Sequence, residues 1–64
     1  MSHKHHCPCC NNVTLDSLGE YLICDICGWE DDPIQFDDSD FQGGANNMSL
    51  NEARKAFSEG RKII

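Results

Sequence analysis

Two Cys-x-x-Cys turns, Cys7-Pro8-Cys9-Cys10 and Cys24-Asp25-Ile26-Cys27, stand in a chain of 64 residues with residues 11–23 between them. In each turn two thiolates can face the same tetrahedral cation, and two such turns complete a four-sulfur shell with no open position. Cys7, Cys10, Cys24 and Cys27 are therefore the expected ligands of one structural zinc ion. The metal answers a problem of size. With 39% apolar residues a chain this short buries only a thin core. Ordering it costs about 1.5 kcal/mol per residue, which hydrophobic burial roughly cancels. A structural zinc site contributes on the order of 10–16 kcal/mol at neutral pH. The sign of the net stability is expected to depend on the metal.

A disulfide framework is the competing reading of the cysteines. Five is an odd count, and the opening Met1-Ser2-His3-Lys4-His5-His6 holds no apolar leader. No stretch approaches the roughly 18 apolar residues of a membrane span. A reducing, cytoplasmic setting fits best, where paired Cys-x-x-Cys turns favour metal. Cys9 occupies the middle of the first knuckle and is the spare thiol. It reads as a small, partly buried filler rather than a reactive group, because neighbouring thiolates repel a further negative charge. His3, His5 and His6 suit zinc chemically, but four thiolates already close the shell, and residues 1–6 are expected to form a mobile tail.

Residues 7–62 read as one small α+β metal-stabilised domain, a zinc-ribbon-like β-hairpin with two zinc knuckles and one C-terminal helix. The expected order is a knuckle at 7–10, a hairpin over 12–24, a knuckle at 24–28, an acidic loop at 29–48 and a helix at 49–59. The hairpin pairs Asn12-Val13-Thr14-Leu15 with Glu20-Tyr21-Leu22-Ile23 around Asp16-Ser17-Leu18-Gly19, whose Asp, Ser and Gly are turn formers. Trp29 reads as core beside the metal site. Ser49-Leu50-Asn51-Glu52 is a capping box, and Gly60 is a natural helix stop. Leu50, Ala53 and Phe57 share a face with Ala56 beside them, expected to dock on the hairpin, Trp29 and Phe36. Gly43 and Gly44 suggest positive φ at a tight reversal. Ile63 and Ile64 either pack back or mark a contact surface.

Charge is distributed unevenly. Through Met48 nine acids face Lys4 alone, a balance of −8; from Ser49 onward four basic residues face two acids, +2; together they give the net −6. Six of the carboxylates, Glu30, Asp31, Asp32, Asp37, Asp38 and Asp40, fall in one short stretch. Zinc held by four thiolates adds about two further negative charges. Phosphate contact needs clustered Lys and Arg, so nucleic acid is the wrong partner for this ribbon. A protein with a basic surface is electrostatically easier. Asp38-x-Asp40-x-Gln42-Gly43 copies the opening of a calcium loop, but Ser49 stands where the loop requires a bidentate Glu. No calcium site is expected.

Taken together, these residues resemble the small bacterial cysteine-rich proteins named for the Cys-Pro-Cys-Cys motif. The matching pieces are Cys7-Pro8-Cys9-Cys10, Tyr21-x-x-Cys24-x-x-Cys27-Gly28-Trp29-Glu30-Asp31-Asp32, Gly43-Gly44-Ala45-Asn46 and Ser49-Leu50-x-Glu52-Ala53-Arg54. The resemblance runs from Cys7 to Phe57. It departs at Asn11, where the family usually has glycine. What it implies is fold and metal; the family carries no settled activity, so no catalytic residue is carried over. It does place Cys9 and Trp29–Asp32 in a common signature, which strengthens their reading as one surface next to the metal.

The function expected from these observations is a zinc-stabilised acidic interaction module, an adaptor or inhibitor, and not an enzyme. Its partner surface would comprise Trp29, Glu30, Asp31, Asp32, Asp37, Asp38 and Asp40. Thiol chemistry at Cys9 and a weak nucleic-acid contact through Arg54, Lys55, Arg61 and Lys62 are the alternatives. Oligomeric state is not encoded in any feature of the sequence.

Overall fold

The structure, a computed structural model, describes residues 4–61 and 63. Its elements are strands β1 (His5–His6) and β2 (Val13–Leu15) and helices α1 (Pro33–Asp37) and α2 (Leu50–Ser58). No helix among the described residues is long and apolar enough to cross a membrane. His3, Lys62 and Ile64 lie outside the described residues.

The hairpin expected over 12–24 does not form. β2 pairs antiparallel with β1, His5 opposite Leu15 and His6 opposite Val13, so residues 5–6 belong to the fold and not to a tail. Residues 21–24 pair instead with 29–31: Tyr21 N–H donates to Asp31 O at 3.1 Å, Asp31 N–H to Leu22 O at 2.9 Å, and Cys24 N–H to Trp29 O at 2.9 Å. The reason is local. A Cys-x-x-Cys turn itself reverses the chain, so the segments flanking each knuckle meet each other first. Tyr21 also has φ of 61°, a left-handed conformation that no regular strand admits. The 16–20 segment becomes a connection, with Gly19 at φ 73° donating its N–H to Asp31 Oδ2 at 2.7 Å.

The acidic stretch, expected as a loop at 29–48, contains the short helix α1. Asp32 caps α1, its Oδ1 accepting from Ile34 N–H at 2.8 Å, and Pro33 begins the helix, where its missing N–H is not needed. Gln35 faces inward and is fully buried. Its Nε2 donates to Phe41 O and Met48 O, both at 3.0 Å. Its Oε1 accepts from Asn46 N–H at 3.1 Å and Asn46 Nδ2 at 2.9 Å. Asn46 in turn brackets Glu30, donating from Nδ2 to its O at 2.7 Å and accepting its N–H at 2.9 Å. This polar plug joins α1, the 41–48 segment and the second hairpin. Phe36, expected in the core, is 55% exposed.

Gly44 serves that plug. It does not adopt the positive φ expected of it; neither does Gly43. A Cβ on Gly44 would instead lie 2.6 Å from Gln35 Cγ and Cδ, so the glycine permits close approach.

α2 carries the expected capping box: Glu52 N–H donates to Ser49 Oγ at 3.1 Å and Ser49 N–H to Glu52 Oε1 at 3.0 Å. The Ser49 backbone N–H first, and after it the Gln42 amide, hold the Glu52 carboxyl below its ordinary value. Its buried face is Leu50, Ala53 and Ala56, and Phe57 turns outward. At the other end Gly60, φ 74°, donates to Phe57 O at 3.0 Å and Arg61 N–H to Ala56 O at 2.8 Å. This Schellman closure turns the chain so that Ile63 joins Trp29, Leu15 and Leu50 in the core.

Two substitutions test this packing. Ser49→Ala removes one cap bond and should destabilise the metal-loaded protein by about 1 kcal/mol. Gln35→Leu leaves several buried groups unpaired at about 1–3 kcal/mol each and should cost more than Ser49→Ala. Denaturant midpoints of the two variants measure the order.

Candidate metal centre

The two knuckles repeat one geometry. Asn11 N–H donates to Cys7 O and Gly28 N–H to Cys24 O, each at 2.8 Å; Cys7 N–H donates to Asn12 O at 2.8 Å and Cys24 N–H to Trp29 O at 2.9 Å. Each turn ends on a left-handed residue after its second cysteine, Asn11 at φ 66° and Gly28 at φ 86°. That requirement favours glycine, and asparagine is among the residues that tolerate it best. Asn11 thus keeps the turn.

The knuckles face each other through sulfur. Ligand atoms of Cys7, Cys10, Cys24 and Cys27 all lie within 4.8 Å of one another. Cys7 Sγ is 3.6 Å from Cys27 Sγ and Cys10 Sγ 3.7 Å from Cys24 Sγ. Both distances exclude a disulfide bond of about 2.05 Å. They match the roughly 3.8 Å edge of a tetrahedron whose corners lie about 2.3 Å from a central ion. The four cysteines are thus placed to hold one metal ion, with Cys7 and Cys24 buried and Cys10 and Cys27 half-buried.

Surrounding donors differ from sulfur to sulfur. At Cys24 burial raises the thiol pKa. The Thr14 hydroxyl, donating at 3.0 Å, and the backbone N–H groups of Cys27 and Ile26 outweigh that, lowering it to about 6. Burial pushes Cys7 up to about 11 and Cys27 upward as well, although Trp29 N–H donates to Cys27 Sγ at 3.4 Å. Cys24 is therefore more readily ionised at neutral pH than Cys7 or Cys27, which give up protons to a metal.

Cys9 is not one of the four. It is 8% exposed, and burial raises its pKa, so it packs as a small apolar group. His5 and His6 are exposed on β1, and His6 Nδ1 donates to Asn11 O at 3.0 Å. Trp29 lies fully buried in the same core cluster as Cys7 and Cys24. Its Nε1–H finds no acceptor among the described residues. On the far side, Arg54 Nε donates to Pro8 O at 2.8 Å and latches α2 to the first knuckle.

The carboxylates divide into two groups. Asp31 and Asp32, 2% and 3% exposed, accept backbone N–H groups inside the fold, Asp32 Oδ2 taking Ala45 at 2.9 Å. With Trp29, they are withdrawn from the surface to which the sequence reading assigned them. Glu30 is half-buried, and Asp37, Asp38 and Asp40 are exposed. Two of the calcium-like oxygens serve the protein: Asp38 Oδ1 accepts from Asp40 N–H at 3.3 Å and Asp40 Oδ1 accepts from Asn51 Nδ2 at 3.0 Å. Gln35 carries no signal of its own in the sequence, and Asn46 enters only through the Gly43-Gly44-Ala45-Asn46 match. For α1 the signal is Asp32-Pro33, a cap followed by a helix-opening proline.

Metal loading should follow the four-sulfur set. Cys24→Ser should lose bound metal while Cys9→Ala keeps one ion per chain, as native mass spectrometry would read. Protons compete with metal for the raised thiols, so loading at pH 7 should release at least two protons per ion and weaken as pH falls. Calorimetry in buffers of different ionisation enthalpy measures this; loading without proton release would contradict the assignment.

No curated protein matches the chain. The family model described as Cysteine-rich CPCC matches residues 5–60, a span that takes in both knuckles, both hairpins, the polar plug and α2. The chain belongs to the cysteine-rich CPCC family.

Proposed function

We propose that this chain is a zinc-stabilised protein-interaction module without catalysis of its own, acting in a reducing cytoplasmic setting on a partner with a basic surface. Zinc is the ion favoured by four thiolates in a closed tetrahedral set, and a closed shell leaves no position for substrate. The metal's role in this reading is structural.

One observation carries the interaction reading. Along residues 34–41, Ile34, Phe36 and Phe41 are exposed, interleaved with exposed Asp37, Asp38 and Asp40. No Lys or Arg occurs between Lys4 and Arg54. Exposed aromatic and aliphatic groups set among single-sign charge suit a protein contact, the apolar groups giving affinity and the charges steering. Burial of Asp31 and Asp32 narrows the charged surface to Glu30, Asp37, Asp38 and Asp40.

The alternatives lose support. Burial of Cys9 removes the access that thiol chemistry needs. Of the basic residues, Arg54 reaches back to Pro8 O and Arg61 is paired with Glu59, and the four that the sequence holds near this end are few for phosphate contact.

The test is a pull-down from lysate comparing wild type with Asp37→Asn/Asp38→Asn/Asp40→Asn, with metal content and thermal stability checked for both. The expected outcome is a salt-sensitive partner retained by wild type and lost by the triple variant. An unchanged partner set would mean that these carboxylates only solubilise the protein.

A further inference from the structure

A cleft of ≈ 190 Å³ opens between the 16–20 connection and α1, lined by Leu18, Gly19, Asp31, Pro33, Phe36 and Asp37. Leu18 and Phe36 stand largely exposed at its mouth, and Pro33 and Gly19 close its side. Asp31 is the unusual member. It is almost wholly buried, yet it forms no ion pair with any Lys or Arg among the described residues: Lys4 pairs with Asp16 and Arg61 with Glu59, while Arg54 bonds Pro8 O and Asn51. Its protein partner is the Gly19 N–H, on Oδ2. A buried carboxylate without a counter-charge is costly unless something cationic reaches it.

We propose that this cleft receives one lysine side chain from a partner protein, its ammonium pairing with Asp31 and its methylene stem lying along Leu18, Pro33 and Phe36. The size fits a single side chain, being well below the roughly 300–1,000 Å³ of small-molecule sites. A long cationic side chain buries its stem on apolar walls and keeps its charge at a polar tip. Here Asp31 supplies the counter-charge from the lining of the cleft, and Asp37 is a second lining carboxylate. Because Oδ2 is already engaged by Gly19, Asp31 offers one oxygen, which suits a point-charge ammonium better than the two-pronged fork of arginine. Phe36 can add a cation–π contact. Charge complementarity selects the occupant: the cleft lies in the part of the chain, between Lys4 and Arg54, that holds no Lys or Arg. This inference rests on the interaction reading above and adds to its exposed carboxylates the buried Asp31, reached only through the cleft.

The experiment is an amide NMR titration of the zinc-loaded protein at 150 mM NaCl with three capped tripeptides, Ala-Lys-Ala, Ala-Arg-Ala and Ala-norleucine-Ala. The lysine peptide should shift the Gly19, Asp31 and Phe36 amides saturably, at least about tenfold more tightly than the norleucine peptide and more tightly than the arginine one. Asp31→Asn should abolish the preference for lysine over norleucine, and Phe36→Ala should weaken all three. Should Asp31→Asn fail to fold, Asp37→Asn and Phe36→Ala, both at exposed positions, carry the test. Equal response to lysine and norleucine would overturn the proposal, as would binding of the arginine peptide at least as tight. So would shifts spread over the whole acidic surface, or concentration-dependent shifts of the same amides without peptide, which would place a second copy of the chain in the cleft. A silent titration beside a partner lost in the Asp37/Asp38/Asp40 variant would sink the cleft and leave the module standing. Lysine binding with an unchanged partner set would do the reverse.

Discussion

Four sulfur atoms within 4.8 Å of one another hold together pieces that are too small to persist alone. A two-stranded pair of two and three residues is not independently stable, and a nine-residue helix is marginal in water. The knuckles convert them into a fold. Each Cys-x-x-Cys turn reverses the chain and pairs its own flanks, and the sulfur contacts Cys7–Cys27 and Cys10–Cys24 join the two resulting hairpins across the site. Trp29 follows the second knuckle directly and supplies the largest buried side chain. Arg54 then ties α2 back to Pro8. The route from metal to helix is continuous.

A second constraint is the Gln35–Asn46 network. Where a larger domain would extend its hydrophobic core, this one closes α1 and the 41–48 segment with amide bonds from Gln35 and Asn46. Directional bonds hold register with little apolar mass, provided every buried polar group is paired. Gly44 is required because Gln35 passes so near its backbone. Asp31 and Asp32 belong to this internal system, one bonding the connection at Gly19 and the other capping α1. The acidity of the chain thus has two meanings, structural at Asp31 and Asp32 and superficial at Asp37, Asp38 and Asp40.

What the sequence made legible was local. The ligand spacing, the capping box at Ser49–Glu52 and the stop at Gly60 each depend on a few neighbouring residues, so their geometry could be written from the residues. Strand pairing is not local. Val13–Leu15 and Glu20–Ile23 both favour strand, but propensity does not say which partner each takes, and a left-handed tyrosine at 21 carries no signature. Helical spacing from Leu50 and Ala53 points the large Phe57 inward, with Phe36 expected among the groups it docks on. One step along each helix, Gln35 and Ala56 hold the inward positions, and facing decides over size. A buried glutamine in an acidic run likewise gives no hydropathy signal, and Asp31 and Asp32 look superficial in the sequence because they belong to a run of carboxylates, which normally lie in solvent.

The central claim is that the metal decides whether this chain is folded. Stripping the ion from wild-type protein under reducing conditions, and following amide NMR dispersion before and after returning one equivalent of zinc, measures it directly. The expected result is collapse of the dispersed spectrum on removal and its full recovery at one zinc per chain. A dispersed spectrum that survives metal removal would show that the Gln35–Asn46 network and the Trp29 core suffice, and would contradict the account.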